Sequence, residues 1–250
     1  MQYDLDEGAG AGLRLGMIML STDETVEYEA RMVLAGRDVN LMHARIPAKA
    51  DVTPEDLASM APEMTRTAAL LPRDLRAVAY ACTSGATIIG SDEVARLINL
   101  AHPGVPVTNP LSAVIAALHR LQVRRIAMVT PYVREVSGPM AAALGAAGIE
   151  VIHSVSFGQK EDWTVARIAE TSTRRAMLEA GRVPGVEAVF ASCTNLRTFG
   201  VIDAVEAELG LPVVTSNQAL FWDMLRRAGA GALGWGPGRL FTMDYGKIDA

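Results

Sequence analysis

Short runs of β-branched and aliphatic residues alternate along the chain with longer stretches in which Ala and Leu recur at helical spacing. This alternation predicts βα units around a mainly parallel sheet. Strands are read at Leu13 to Leu20, Val39 to Ile46, Ala77 to Ala81, Val105 to Thr108, Arg125 to Thr130, Val151 to Ser156, Ala188 to Ser192 and Val213 to Thr215. Helices are read at Asp23 to Leu34, Pro54 to Leu70, Ser91 to Leu100, Ser112 to Leu121, Val133 to Ala147, Trp163 to Glu179, Thr198 to Leu209 and Gln218 to Ala228.

The strands fall into two sets of four that resemble each other. Ala77-Val78-Ala79-Tyr80-Ala81-Cys82-Thr83-Ser84 corresponds to Ala188-Val189-Phe190-Ala191-Ser192-Cys193-Thr194-Asn195. Val105-Pro106-Val107-Thr108-Asn109 is echoed by Leu211-Pro212-Val213-Val214-Thr215-Ser216-Asn217, and Gly16-Met17-Ile18-Met19-Leu20-Ser21 by Ile126-Ala127-Met128-Val129-Thr130-Pro131. Three matches in one order argue for an internal duplication. The expected fold is α/β, with two similar doubly wound lobes, each holding a four-stranded mainly parallel sheet. A pseudo-twofold axis would relate the lobes, with the active site between them. Residues 1–111 with 217–250 are assigned to the first lobe and 112–216 to the second. Buried parallel strands resemble one another in any protein. That does not account for Cys-Thr at the carboxyl end of the third strand of each set, where open α/β sheets bind ligands.

Composition narrows the function. The 250 residues carry 23 Lys+Arg against 28 Asp+Glu, a net charge of -5 with no basic run, so nothing suits nucleic acid or an anionic membrane. No apolar stretch is long enough to span a bilayer. The acidic start Met1-Gln2-Tyr3-Asp4-Leu5-Asp6-Glu7 is unlike a signal peptide, so a cytoplasmic location is expected, where thiols stay reduced. His43, His102, His119 and His153 are scattered, with no metal-ligand spacing. Gly8, Gly10 and Gly12 precede the first strand, whereas a dinucleotide loop follows it, and Gly234 to Arg239 lies after the last helix. A cofactor-independent activity fits best.

The chain has two cysteines, Cys82 and Cys193. Each ends a strand and precedes a turn that leads toward a helix, whose first amides carry partial positive charge. A thiol there is expected to have a lowered pKa and to act as nucleophile or base. The same amides suit a carboxylate. Thr83, Ser84, Gly85 and Thr87 on one side and Thr194, Asn195 and Thr198 on the other fit that role. The plain alternative for either cysteine is a buried small hydrophobe.

The Cys82-Thr83-Ser84-Gly85 and Ser192-Cys193-Thr194-Asn195 turns, the duplication and Thr130-Pro131-Tyr132-Val133 resemble the aspartate/glutamate racemase superfamily, in its maleate cis-trans isomerase and arylmalonate decarboxylase branch. The resemblance runs from about Leu13 to Tyr245. Asp23-Glu24-Thr25-Val26 and Ser192 to Thr198 further resemble the racemase-like protein of ectoine-utilisation operons. The resemblance implies Cys82 as the thiol that adds to an alkene carbon, or as one of two bases, and Cys193 as the proton donor or acceptor across the cleft. It implies that Thr83, Ser84, Thr194 and Tyr132 hold a carboxylate, and that a homo-oligomer forms. Decarboxylases of the branch keep only the second-lobe cysteine, so Cys82 argues against decarboxylation.

Maleate isomerases carry an asparagine where this chain has Asp23. An ionised aspartate beside a bound carboxylate is costly, whereas a substrate bearing an ammonium or amide would pair with it. Asp23 also suits the N-cap of the first helix, and both roles stay open. Arg197 could pair with a cleft carboxylate or with Asp23, or lie solvated at the surface. Asp162 and Trp163 stand where the isomerases place another substrate asparagine. The leading reading is a racemase or isomerase of a small carboxylic or amino acid with Cys82 and Cys193 as a facing pair and Asp23, Thr83, Ser84, Tyr132, Thr194 and Asn195 around the substrate. The alternatives are a maleate isomerase proper and a non-catalytic metabolite-binding protein.

Overall fold

The computed structural model describes residues 1–6, 8 and 12–243. Gly10 of the early glycine run, and the chain from 244 onward with Tyr245, lie outside the described residues. The strands are β1 (Arg14–Leu20), β2 (Asn40–Ile46), β3 (Ala77–Ala81), β4 (Val107–Thr108), β5 (Arg125–Tyr132), β6 (Glu150–Gln159), β7 (Ala188–Ala191) and β8 (Val213–Thr215). They form two four-stranded sheets of order β2-β1-β3-β4 and β6-β5-β7-β8, all parallel and identical in topology. The two-lobed α/β fold expected from the sequence repeat is the fold observed. β3 and β7 are buried along their whole length, as parallel strands covered on both faces must be.

The helices are α1 (Val26–Leu34), α2 (Pro54–Ala58), α3 (Ala61–Ala68), α4 (Thr83–Ile89), α5 (Ser91–Asn99), α6 (Pro110–Arg120), α7 (Arg134–Ala146), α8 (Asp162–Val165), α9 (Glu170–Gly181), α10 (Ile202–Leu209) and α11 (Ser216–Arg227). α6 and α11 occupy matching places in the repeat and start alike. Asn109 forms a capping box with Ser112, with Pro110 in the first turn, and Thr215 forms one with Gln218. Each then leaves its own strand set. α11 packs on β3 and β4 of the first sheet, where Thr108 Oγ1 donates to buried Asp223 Oδ2 at 2.6 Å, and α6 packs on β8 and α11.

Three readings need correction. The helix expected at Pro54 to Leu70 is two, α2 and α3, with the turn at Ser59 and Met60 between them. The helix expected from Trp163 is also two, α8 and α9, interrupted where Ile168 gives its carbonyl to the Arg197 guanidinium. The residues after Cys82, read as a turn leading toward a helix, are themselves helical, so the polypeptide enters α4 immediately after Cys82.

Contacts between the lobes place the site. The segment after β2 pairs with the segment after β6: Val52 N–H donates to Lys160 O at 2.7 Å and Asp162 N–H to Ala50 O at 3.1 Å. Thr25, at the start of α1, donates its hydroxyl to Asn195 O at 2.9 Å. The carboxyl ends of both sheets thereby meet. Among the described residues, no helix is long and apolar enough to cross a membrane.

Candidate active site

Cys82 follows β3 in extended backbone and is the N-cap of α4, its Sγ accepting the Gly85 N–H at 3.2 Å. The absence of a side chain at Gly85 is required here, because a Cβ would collide with the Tyr80 hydroxyl and press on the Cys82 sulfur. Cys193 is held differently. Its φ of 116° lies in a region that L-residues rarely adopt. Two hydrogen bonds maintain it: Cys193 N–H donates to Ser216 Oγ at 2.9 Å, and Asn195 N–H donates to Cys193 Sγ at 3.3 Å. No helix starts at this cysteine, since the next helical turn begins at Phe199. The expectation of a helix start behind each thiol therefore holds for Cys82 only.

Two bonds tie the cysteine loops together. Ser216 Oγ also accepts from Thr83 Oγ1 at 2.8 Å, so one hydroxyl bridges the residue after Cys82 and the amide of Cys193. Thr194 Oγ1 donates to Ala81 O at 3.4 Å. Thr83, Ser84, Thr194 and Asn195 are all buried at this meeting point.

Two carboxyls complete it. Asp23 follows β1 and is 2% exposed; its Oδ1 accepts the amides of Thr25 and Val26, each at 2.8 Å, which is the helix-capping role. Its Oδ2 is buried and makes no hydrogen bond among the described residues; the Thr194 hydroxyl lies near it but donates to Ala81 O. Burial pushes the Asp23 carboxyl up to about 6, the Val26 and Thr25 amides and the Thr194 hydroxyl offset part of this, and the Asp162 charge adds to it. Asp162, also 2% exposed, accepts from Tyr132 Oη at 2.7 Å and from Thr22 Oγ1 at 2.6 Å. Tyr132 Oη in turn stands 3.2 Å from Cys193 Sγ. Asn195 has its amide fully committed, Oδ1 accepting Glu24 N–H at 2.9 Å and Nδ2 donating to Asp162 O at 3.0 Å. It positions both acidic loops at once.

The electrostatics of the thiols reverse the expectation. Burial pushes Cys82 up to about 12; the Gly85 amide opposes this, while the Asp162 and Asp23 charges reinforce it. Cys193 is raised well above its ordinary value, by burial first and by the Asp162 charge second. One amide and one phenol hydroxyl at each sulfur, Gly85 with Tyr80 and Asn195 with Tyr132, do not outweigh desolvation and two carboxyls. Three arginines near the acidic loops are engaged away from the buried carboxyls: Arg45 with Glu27 and the Leu20 and Asp23 carbonyls, Arg167 with Glu24, and Arg197 with the Ile168 carbonyl rather than with Asp23. Trp163 is 56% exposed and stacks under Arg167, outside the site.

Four contributors were not singled out in the sequence. Ser216 lies in the second-lobe echo, but only its hydrogen bonds reveal the bridge. Thr22 acts through Asp162. Tyr80, fully buried on β3, sets its hydroxyl beside Cys82, so each thiol has a phenol next to it. Glu29 on α1, 2% exposed, accepts the amides of Thr198 and Phe199 and the Asn217 side chain, and burial pushes it up to about 7.

A pair of like α/β lobes, each delivering a thiol from its third strand to a shared seam, defines the class of protein. The chain belongs to the arylmalonate decarboxylase family, whose model matches residues 15–241. It is 36% identical over 140 residues to arylmalonate decarboxylase of Bordetella bronchiseptica, a match spanning 55% of this chain and 58% of that enzyme. It is 24% identical over 257 residues to the maleate isomerase of Nocardia farcinica, spanning 92% and 96%. Among solved structures, a Cys-to-Ser mutant of the Nocardia farcinica maleate cis-trans isomerase, with a covalently bound succinylcysteine intermediate, superposes with a TM-score of 0.84 at 23% identity, covering 92% of this chain and 98% of that one. The fold is shared with that enzyme.

Proposed function

We propose that this protein is a cofactor-independent racemase or isomerase of a small carboxylic or amino acid, working through Cys82 and Cys193. The observation that carries the reading is the joining of the two cysteine loops through Ser216 and Thr194, with the buried carboxyls of Asp23 and Asp162 near enough for their charge to act on both thiols. In the reaction one sulfur takes a proton from the substrate carbon and the other delivers one to the opposite face. The first-lobe thiol favours isomerase chemistry over decarboxylation.

Asp23 Oδ2 supports a substrate that brings a hydrogen-bond donor. A buried carboxylate oxygen without a partner costs free energy, and an ammonium or amide N–H would satisfy it. A cationic nitrogen there would also neutralise charge that holds both thiols protonated, so binding would itself prepare the thiols for proton transfer. An amino acid from ectoine or hydroxyectoine breakdown, handled in the cytoplasm, has this chemistry. Thr83, Ser84, Tyr132, Thr194 and Asn195 form the proposed substrate shell. The lobes are taken as 1–111 with 217–250, and 112–216.

The test is solvent deuterium exchange at the α-carbon of small amino acids, diamino acids included, in the wild type and in Cys82→Ser and Cys193→Ser. Exchange by the wild type and its loss in either variant is expected. Exchange persisting in both single variants would sink the proposal. A second reading, a true maleate isomerase, is favoured by the near-full-length likeness to such enzymes. Formation of fumarate from maleate decides it.

A further inference from the structure

Tyr132 has one hydroxyl proton and two neighbours that could accept it. Asp162 Oδ1 stands 2.7 Å from its oxygen and Cys193 Sγ 3.2 Å. All three residues are buried. A charge-assisted bond from a hydroxyl to a carboxylate is roughly twice as strong as a neutral one, so the phenolic proton lies toward Asp162. The lone pairs of the phenol oxygen are then left facing the sulfur. The sulfur completes the pair as an S–H donor.

The structure fixes Asp162 for this task from three directions. Its N–H is spent on Ala50 O, its carbonyl accepts from Asn195 Nδ2, and its second carboxylate oxygen accepts from Thr22 Oγ1. The groups acting most strongly on Cys193, after burial, are the Asp162 charge, which raises it, the Tyr132 hydroxyl and the Asn195 amide, which lower it, and the Asp23 charge, which raises it. Cys82 differs in its phenol: the hydroxyl of Tyr80, beside it, has Met60 Sδ at 3.6 Å as its partner rather than a carboxylate, and the Gly85 amide donates to the Cys82 sulfur.

We infer that Asp162 is a positioning residue that turns the Tyr132 hydroxyl away from Cys193, and so holds Cys193 as the proton donor of the pair while Cys82 is the acceptor. The inference rests on the two-thiol reading above. In the step it describes, the Cys193 S–H bond breaks as its proton bonds to the substrate carbon, and the electron pair stays on sulfur. On the opposite face the Cys82 thiolate uses an electron pair to bond the proton leaving the substrate carbon. Exchange of one proton with water, from Cys82 and to Cys193, resets the pair.

The test is the rate of iodoacetamide alkylation at each cysteine, resolved by peptide mass spectrometry on the full chain at neutral pH. In Asp162→Asn the amide oxygen still accepts from Thr22, and the NH2 group faces the Tyr132 oxygen. The phenolic proton is thereby released to the sulfur, and a negative charge near both thiols is lost. Cys193 alkylation is expected to rise by about tenfold, the equivalent of one pKa unit, and by more than that of Cys82, which gains only from the lost charge. In Tyr132→Phe alone, Cys193 should keep its wild-type rate, because the phenolic proton was not serving the sulfur. In the double variant the gain at Cys193 should fall to that at Cys82. An Asp162→Asn protein whose Cys193 reacts no faster than wild type, unlabelled included, overturns the inference. So does slowing at Cys193 in Tyr132→Phe. These rates need no substrate, so they can fail while the deuterium-exchange test of the two-thiol reading succeeds, and the reverse.

Discussion

Glu29 on α1 accepts a 2.7 Å hydrogen bond from the side-chain amide of Asn217 at the start of α11, and the same amide nitrogen donates to the Thr194 carbonyl at 2.8 Å. The backbone next to Cys193 is thus fastened to a helix of the first lobe by a buried carboxyl. Burial raises that carboxyl from its ordinary 4.5 to about 7. The folded protein therefore binds its proton more tightly than the unfolded chain does. The stability from this group is fully present below pH 4.5 and is lost as pH rises through about 7. The loss is on the order of 3 kcal/mol, taking about 1.4 kcal/mol per unit. Melting temperature should fall between pH 5 and pH 8, and Glu29→Gln should flatten that dependence. Asp23, raised to about 6, adds a smaller loss of the same sign.

Ser216→Ala removes the bridge between the cysteine loops. It leaves the buried Cys193 N–H without its acceptor, which costs about 1 to 3 kcal/mol. A drop in melting temperature should accompany a large loss of kcat. Ser216→Thr, which keeps the hydroxyl, should restore part of the stability if a rotamer reaches both partners. An alanine variant as stable as wild type would show that the bridge carries no load.

Cys193→Gly should abolish activity yet stabilise the fold relative to Cys193→Ala. A φ of 116° costs an L-residue about 1 to 3 kcal/mol and a glycine much less. The comparison by thermal unfolding is between two variants that both lack the sulfur and differ by one methyl group and the backbone freedom that it restricts.

Asp23→Asn should change substrate choice more than stability. The two amides of α1 need an acceptor and would keep the side-chain oxygen, which puts the NH2 group where Oδ2 now lies. A donor then replaces an acceptor at the substrate. Binding of amino-bearing ligands should weaken by about tenfold or more, as for other lost charged hydrogen bonds, and binding of dicarboxylates should strengthen. Calorimetric titration with one ligand of each kind reads both directions.

Much of this site was legible because its parts are local. The apolar strand before Cys82, the matching strand before Cys193 and the capping pattern at Asp23 each sit within a few consecutive residues. α4 was not legible. Thr83, Gly85, Thr87, Ile88 and Ile89 are poor helix formers, and what makes them helical is Cys82 as cap and burial against α2, α6 and α7. The conformation of Cys193 depends on Ser216, and the raised thiols depend on Asp162, which is brought in by pairing with Ala50. Such contacts join distant parts of the chain and leave no periodic trace. Nor could sequence spacing tell that the Asn195 side chain would bond the Glu24 amide and the Asp162 carbonyl.

The packing of α11 on β3 and β4 bears on the order in which the protein is made. The first four strands leave the ribosome well before the helix that covers the β3–β4 end of their sheet, which follows all of β5 to β8. Until then Cys82 lies at the end of an uncovered strand. A chain interrupted before Ser216 would hold both cysteines and neither a finished first lobe nor the hydroxyl that joins their loops. Emergence of Ser216 and α11, rather than folding of either half, is thus the event that joins the two cysteine loops.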